Sequence, residues 1–299
     1  GASFTDAVGN TNTAASQFNW EYDGTAPTMT ITADEVSDGG TSNDAILSIT
    51  FTSSEATTNF VAGDVSVSGG TLSSFSGSGT TYTATFTPTT DGATTINVGA
   101  AGFTDAVGNA NSAANEFNWV YDSTALTIAI TSSTVSSGAT SNDATIALTF
   151  TTSESTTGFT ANDVTVSGGS ISNFAGSGTD YTATLTPSAD GLTTTSVNQG
   201  SFSDSAGNSN TASNSFLWTY DGTSPTVQIT TSASNPATGS TIAVTITFSE
   251  ATTNFASSDV TVGGGSVTAF SGSSSTVYVA TITPSADGTV TVDVASGVA

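Results

Sequence analysis

The chemistry open to this chain is carboxylate chemistry. Its 299 residues include 24 Asp and Glu but no Lys, Arg, His or Cys, for a formal charge of −24. A soluble chain of this length ordinarily carries roughly 35 Lys and Arg. Their absence removes Ser-His-Asp and Cys-His catalysis, lysine Schiff bases, arginine clamps on phosphate, disulfides, and metal sites built on His or Cys. Two uses of an acid remain. One is a pair of carboxylates acting as acid and base, as in glycoside hydrolysis. The other is a group of oxygen ligands around a hard cation. Nucleic acid is excluded as a partner, because its binding rests on basic residues. No apolar run approaches the ~20 residues of a membrane span.

Spacing decides between the two uses. Asp23, Glu55, Asp64 and Asp105 return 99 residues later as Asp122, Glu154, Asp163 and Asp204. A third set follows as Asp221, Glu250 and Asp259, and its fourth member would be Asp6 of another copy. A catalytic site is a singular feature of one domain. Acids that recur in every repeat point to a structural role, and the chain reads as not an enzyme.

Repeating acids need repeating elements to hold them. Phe4-Thr5-Asp6-Ala7-Val8-Gly9-Asn10 recurs at 103–109 and, with changes, at 202–208. Trp20, Trp119 and Trp218 keep the same interval, as do Tyr22, Tyr121 and Tyr220. A period near 99 is too long for a solenoid repeat and fits one small all-β domain. Within residues 24–122, the patterning predicts strands at 28–32, 45–52, 64–68, 71–76, 81–87, 94–98 and 116–121. In the fifth of these Tyr82, Ala84 and Phe86 share one face and four Thr the other, as a half-buried strand requires. Gly-rich turns at 38–40, 69–70, 77–79 and 88–92 separate the runs. About seven short strands per ~100 residues is a β-sandwich signature, and the aromatic residues are the expected core.

These residues also carry a resemblance. The runs Tyr22 to Thr28 (YDGTAPT), Phe51 to Glu55 (FTSSE), Asn59 to Val65 (NFVAGDV), Phe103 to Asn109 and Phe248 to Ala251 (FSEA) are similar to those of bacterial immunoglobulin-like repeats. Such repeats occur in large secreted adhesins and biofilm-associated (Bap-like) surface proteins. The resemblance spans the whole chain and implies an extracellular or cell-surface structural protein of a prokaryote. It also implies tandem immunoglobulin-like β-sandwiches arranged as an extended rod. The expected divisions are residues 1–22 as the final strand of a preceding sandwich, then sandwiches at 23–122, 123–221 and 222–299, the last without its final strand. Two departures stand out. Leu126 occupies the place of Pro27 and Pro225, and the third repeat lacks the pair Asn43-Asp44 and Asn142-Asp143.

The permuted order predicts two unsatisfied ends. Residues 1–22 carry Phe4, Phe18, Trp20 and Tyr22 on a strand with no sandwich of its own, and the third sandwich has the matching slot. Either the chain is a window of a longer continuous array, or residues 1–22 complete residues 223–299 of a neighbouring copy, head to tail.

Chain order places each acidic set at one end of its sandwich, while the loops bearing Asp38, Asp44 and Asp91 face the following domain. Four carboxylates brought together have no internal counter-charge. They must stay apart, take up protons, or bind a cation, for which oxygen-only ligands suit Ca²⁺. Ca²⁺ at the junctions would stiffen the linkers. The competing reading makes the acids solvated or turn-capping, which suits Asp91, Asp190 and Asp287, each followed by Gly. The rival function is a carbohydrate- or surface-binding module, although a surface or glycan ligand would more naturally lie outside this segment.

Overall fold

The computed structural model describes residues 3–297. Residues 1, 2, 298 and 299, the outermost positions of the expected donor strand and third sandwich, lie outside the described residues. Alternating apolar and polar residues build an almost purely β chain, as expected. The described residues form two compact units. One holds the N-terminal segment and two sandwiches; the other holds the third sandwich.

The first sandwich contains β1 (Met29–Ala33), β2 (Thr41–Ser42), β3 (Leu47–Thr57), β4 (Val65–Ser68), β5 (Gly70–Pro88), β6 (Gly92–Val98) and β7 (Phe117–Tyr121). One sheet runs β1-β3-β5 and the other β2-β7-β6-β4. Leu47, Ile49 and Phe51 lie opposite Phe86, Ala84 and Tyr82 on paired strands, and all six are buried. The pleat sends these alternate residues inward, and the intervening Ser and Thr outward. Trp119 closes the core from the second sheet, edge-on to Phe86 at 4.8 Å between ring centroids.

The second sandwich repeats this plan with β8 (Ile128–Ser132), β9 (Ala139–Ser141), β10 (Ile146–Thr152), β11 (Thr156–Thr157), β12 (Val164–Ser167), β13 (Gly169–Ser177), β14 (Asp180–Pro187), β15 (Gly191–Val197), β16 (Ser203–Asp204) and β17 (Phe216–Tyr220). Its main sheets run β13-β14-β10-β8 and β12-β15-β17-β9. Leu126 is fully buried here, and its carbonyl accepts from Thr211 N–H at 2.7 Å. Pro27 does the same work with Ser112 N–H at 3.0 Å, so the missing proline costs the linker no contact.

Three details differ from the sequence expectation. Asp64 lies in a 3₁₀ turn (Ala62–Asp64), not in the strand that follows. The runs 71–76 and 81–87 belong to one assigned strand, β5, which turns back on itself through Gly77 and Gly79. Both glycines have positive φ, and a Cβ on Gly77 would sit 2.5 Å from the Thr81 carbonyl. The two-residue β2, parallel to β7, is too short to show a period.

The third sandwich contains β18 (Val227–Thr230), β19 (Ile242–Phe248), β20 (Val260–Gly263), β21 (Gly265–Gly272), β22 (Val277–Pro284) and β23 (Thr291–Val294). Its first sheet is complete, β18-β19-β22-β21, but its second is only β20-β23 among the described residues. Among the described residues, no strand of this sandwich corresponds to β7 or β2. The N-terminal segment that resembles β7 forms no strand and is exposed, with Trp20 at 76% exposure against 2% for Trp119. No described helix is long and apolar enough to cross a membrane.

Candidate metal centre

Three elements bring the acids together. The linker before β1 carries Asp23, the end of β3 carries Glu55, and the loop before β7 carries Asp105. A backbone bridge between Thr57 and Asp105 fixes the last two relative to each other. Ser54 N–H donates to the Thr28 carbonyl at 3.0 Å and draws the linker toward the end of β3. One carboxylate oxygen from each of Asp23, Glu55 and Asp105 then lies within 4.8 Å of the other two. Asp122, Glu154 and Asp204 form the same group in the second sandwich. Ligands held 2.3–2.6 Å from one Ca²⁺ are at most about 5 Å apart, so this spacing fits a shared cation.

The deepest member of each group is positioned by its own loop. Asp105 Oδ1 accepts from the backbone N–H of Val107 (2.9 Å), Gly108 (2.7 Å) and Asn109 (2.9 Å). Its Oδ2 accepts from Asn109 Nδ2 at 2.8 Å. Burial pushes the Asp105 carboxyl up, but these four donors outweigh it and hold the group below the usual carboxylate range. Asn109 Nδ2 also donates to the Asp23 carbonyl at 3.2 Å, tying loop to linker. Asn208 does this for Asp204 and Asp122 at 3.0 and 2.9 Å. Neither Asn was singled out as a site residue from sequence. Their signal was the fixed Asp-x-x-x-Asn spacing, which looks like an ordinary turn.

The glutamates bear the strain. Glu55 is held above the usual range, first by its withdrawal from water and then by repulsion from Asp23 and Asp105. Glu154 is raised for the same reasons, with Asp122 and Asp204 as neighbours. In its protonated form it also hydrogen-bonds Asp122, and Asp91 adds further repulsion. Asp91 is therefore a junction residue. Its Oδ1 accepts from Ser123 N–H and Oγ at 3.0 and 2.7 Å, and its Oδ2 from Thr124 Oγ1 at 2.7 Å. These bonds hold Asp91 below the usual range. The reading of Asp91 as a local turn cap gives way to a bond from the first sandwich to the next linker, in line with its loop facing the following domain.

The other acids lie outside these groups. Asp64, Asp163 and Asp259 each accept from the backbone N–H three residues earlier, at 2.8, 2.7 and 2.8 Å, and cap the 3₁₀ turns. Asp38 accepts from Asn118 N–H at 2.8 Å and Asp44 from Ser42, both within the first sandwich. Asn43 crosses the junction instead. Its N–H donates to the Ala206 carbonyl at 3.0 Å and its Nδ2 to Asn208 Oδ1 at 3.1 Å. Asp221 and Glu250 join no three-acid group among the described residues. Asp6 stands on the exposed N-terminal segment, yet it already makes the bonds of its counterparts: Oδ1 accepts from Val8 and Asn10 N–H, and Oδ2 from Asn10 Nδ2.

The repeats match a known family. A model for a bacterial Ig-like domain matches residues 23–121, 122–220 and 221–299. The chain belongs to this bacterial Ig-like domain family. Among solved structures it resembles invasin, described as a bacterial integrin-binding protein, with a TM-score of 0.37 and 14% identity. That likeness covers 89% of this chain and 56% of invasin, so the chain spans little more than half of that structure's length. No curated protein matches the chain. Family membership agrees with the sandwich reading; a narrower kinship with biofilm-associated proteins does not follow from it.

Proposed function

We propose that this chain is a structural segment of a prokaryotic cell-surface stalk or filament, and not an enzyme. Its bacterial Ig-like sandwiches stand in series, as part of a longer continuous array or joined head to tail by strand complementation, and Ca²⁺ stiffens their junctions. The observation that carries the Ca²⁺ reading is the recurrence of one three-carboxylate group at the linker end of two successive sandwiches, with no basic side chain in the chain to offset it. A divalent cation there neutralises charge and ties linker, strand end and loop into one body. Asp91 and Asn43 already bind the first sandwich to the second across that point. Extracellular modules hold Ca²⁺ at ~10⁻⁴–10⁻³ M, and a ligand at 100 times its dissociation constant stabilises by about 2.7 kcal/mol.

Calorimetry and small-angle scattering of the full chain, in chelator and in millimolar Ca²⁺, test the reading. Ca²⁺ is expected to raise the melting temperature by several degrees and to narrow the distribution of end-to-end distances. A midpoint and a scattering profile that ignore Ca²⁺ would overturn it.

A further inference from the structure

The first two sandwiches share a backbone plan but differ at one sheet edge. β8 is an edge strand, and a side chain closes off the outward N–H and C=O of Ile130. Asn214 Oδ1 accepts from Ile130 N–H at 2.8 Å, and Asn214 Nδ2 donates to the Ile130 carbonyl at 2.9 Å. A primary amide has both an acceptor and donors, so Asn214 stands in for the peptide group of a neighbouring strand. β1 is the matching edge, with Ile31 opposite Phe51 as Ile130 is opposite Phe150. Ser54 N–H donates to the Thr28 carbonyl and Asp34 N–H to the Ser48 carbonyl, so the even-numbered residues of this stretch bond β3. Backbone groups alternate sides along an antiparallel strand, which turns the N–H and C=O of Ile31 outward. Asn115 is the counterpart of Asn214, yet its side chain makes no hydrogen bond among the described residues. The nearby backbone is unchanged: Ala114 N–H donates to the Val98 carbonyl at 2.9 Å, as Ser213 N–H does to Val197 at 3.0 Å.

The undocked amide leaves a cleft of about 190 Å³ between β1 and the start of β7, flanked by Ile31, Asp38, Asn115, Glu116 and Phe117. Two of these positions change chemistry between the sandwiches. Asp38 and Glu116 stand where the second sandwich has Ser137 and Ser215. Asp38 keeps the structural duty of Ser137. It accepts from Asn118 N–H at 2.8 Å, as Ser137 Oγ does from Leu217 N–H at 3.0 Å. Asp38 Oδ2 and the Glu116 carboxylate take no hydrogen bond among the described residues. The second sandwich therefore has a neutral edge closed by an amide. The first has an open edge flanked by two carboxylates.

We infer that this cleft binds an extended, arginine-bearing peptide segment, whose peptide group pairs with the Ile31 backbone and whose guanidinium meets Asp38 and Glu116. The template for the backbone contact is inside the chain, in the two bonds between Asn214 and Ile130. Pairing on a sheet edge supplies affinity, and the side chain beside it supplies selectivity. A guanidinium suits two carboxylates better than an ammonium, because its five N–H donors lie in a fixed planar fork. The contact is short. Ile31 and Ala33 present outward backbone before β1 ends at Ala33. No segment of this chain supplies the cation, since the chain holds no Lys or Arg. The occupant belongs to a different, basic polypeptide, and the first sandwich takes it where the second does not.

The test titrates the peptide acetyl-Thr-Arg-Thr-Arg-Thr-amide into the full chain at about 0.15 M salt, where diffuse attraction between charges is screened. Amide NMR signals and hydrogen exchange report the site. In the free protein the Ile31 amide should exchange at least tenfold faster than that of Ile130, which Asn214 holds. The peptide should shift and protect Ile31 and leave Ile130 unchanged, and its Gln-for-Arg analogue should bind at least tenfold more weakly. Asp38→Ser with Glu116→Ser installs the residues of the second sandwich and keeps the bond to Asn118 N–H, so the fold should persist, which circular dichroism verifies. This double variant should lose at least tenfold in affinity. Glu21→Gln with Asp180→Asn removes the same charge elsewhere and should change affinity less than about twofold. An Ile31 amide protected in the free protein as well as Ile130, a Gln peptide that binds equally, or equal losses in the two double variants would each overturn the inference.

Discussion

Each three-acid group contains members pulled in opposite directions. Asp105 has four hydrogen-bond donors, and Glu55 has repulsive neighbours. The sign of the pH response follows. Glu55 and Glu154 are raised above 4.5, so their contribution to stability is full below that value and is lost as pH climbs through their folded-state pKa. Asp105 and Asp91 are lowered below 3.8, so theirs is full above that value and is lost as pH falls through their folded-state pKa. In chelator, the melting temperature should therefore rise as pH falls from 7 toward 4.5, and then drop below 3.8. Millimolar Ca²⁺ should abolish the rise, since the cation replaces the proton. Glu55→Gln or Glu154→Gln should raise the chelated midpoint and reduce the Ca²⁺ response. Scanning calorimetry at stepped pH reads both effects.

Strands with the same sequence occupy opposite environments here, which gives the element scale an internal control. Trp119 is buried against Phe86 and Phe117, whereas Trp20 is exposed and meets the Phe18 ring at 6.0 Å. Trp119→Ala should destabilise the first sandwich by about 3–5 kcal/mol in urea unfolding. Trp20→Ala should change the stability of the monomer by less than about 0.5 kcal/mol. The turn between β12 and β13 offers a second test. Gly168 has φ +76°, and an added Cβ would meet the Leu192 carbonyl at 2.5 Å. Gly168→Ala should cost about 1–3 kcal/mol through strain and the displaced strand β15. The strands were legible because a half-buried sheet writes its burial into alternate residues. β2, β9 and the 3₁₀ turns were not, because two or three residues carry no period.

For the molecule as a whole, charge and connection act together. With no Lys or Arg the chain offers trypsin no cleavage site, so trypsin resistance is not informative. A glutamate-specific protease is informative, because Glu21 lies on the exposed N-terminal segment. On the head-to-tail reading, Glu21 should be cut rapidly in dilute protein and be protected at least tenfold at concentrations where copies add. Mass spectrometry of timed digests would show whether protection follows concentration. At the junction of the first two sandwiches, Asn43→Ala removes the Nδ2 bond to Asn208. In chelator it should broaden the scattering distance distribution of the full chain, and Ca²⁺ should partly restore it.

The sequence alone determined the sandwich fold, the 99-residue period, the aromatic core and the restriction to carboxylate chemistry. Those follow from residue type and spacing, which local steric rules and burial convert directly into strands and faces. It also marked Asp23, Glu55 and Asp105 as members of one set. Only the tertiary structure separated Asp64 from them, because a carboxylate three residues from a free backbone N–H caps its own turn before it can reach a neighbour. Only the tertiary structure showed that Asp91 bonds the next linker instead of capping its own turn, and recruited Asn109 and Asn208 as the ties between loop and linker. Those roles depend on which loops of different strands, and of successive sandwiches, end at the same point in space. That distance is set by the packing of whole sheets, and it leaves no mark on the sequence around any one acid.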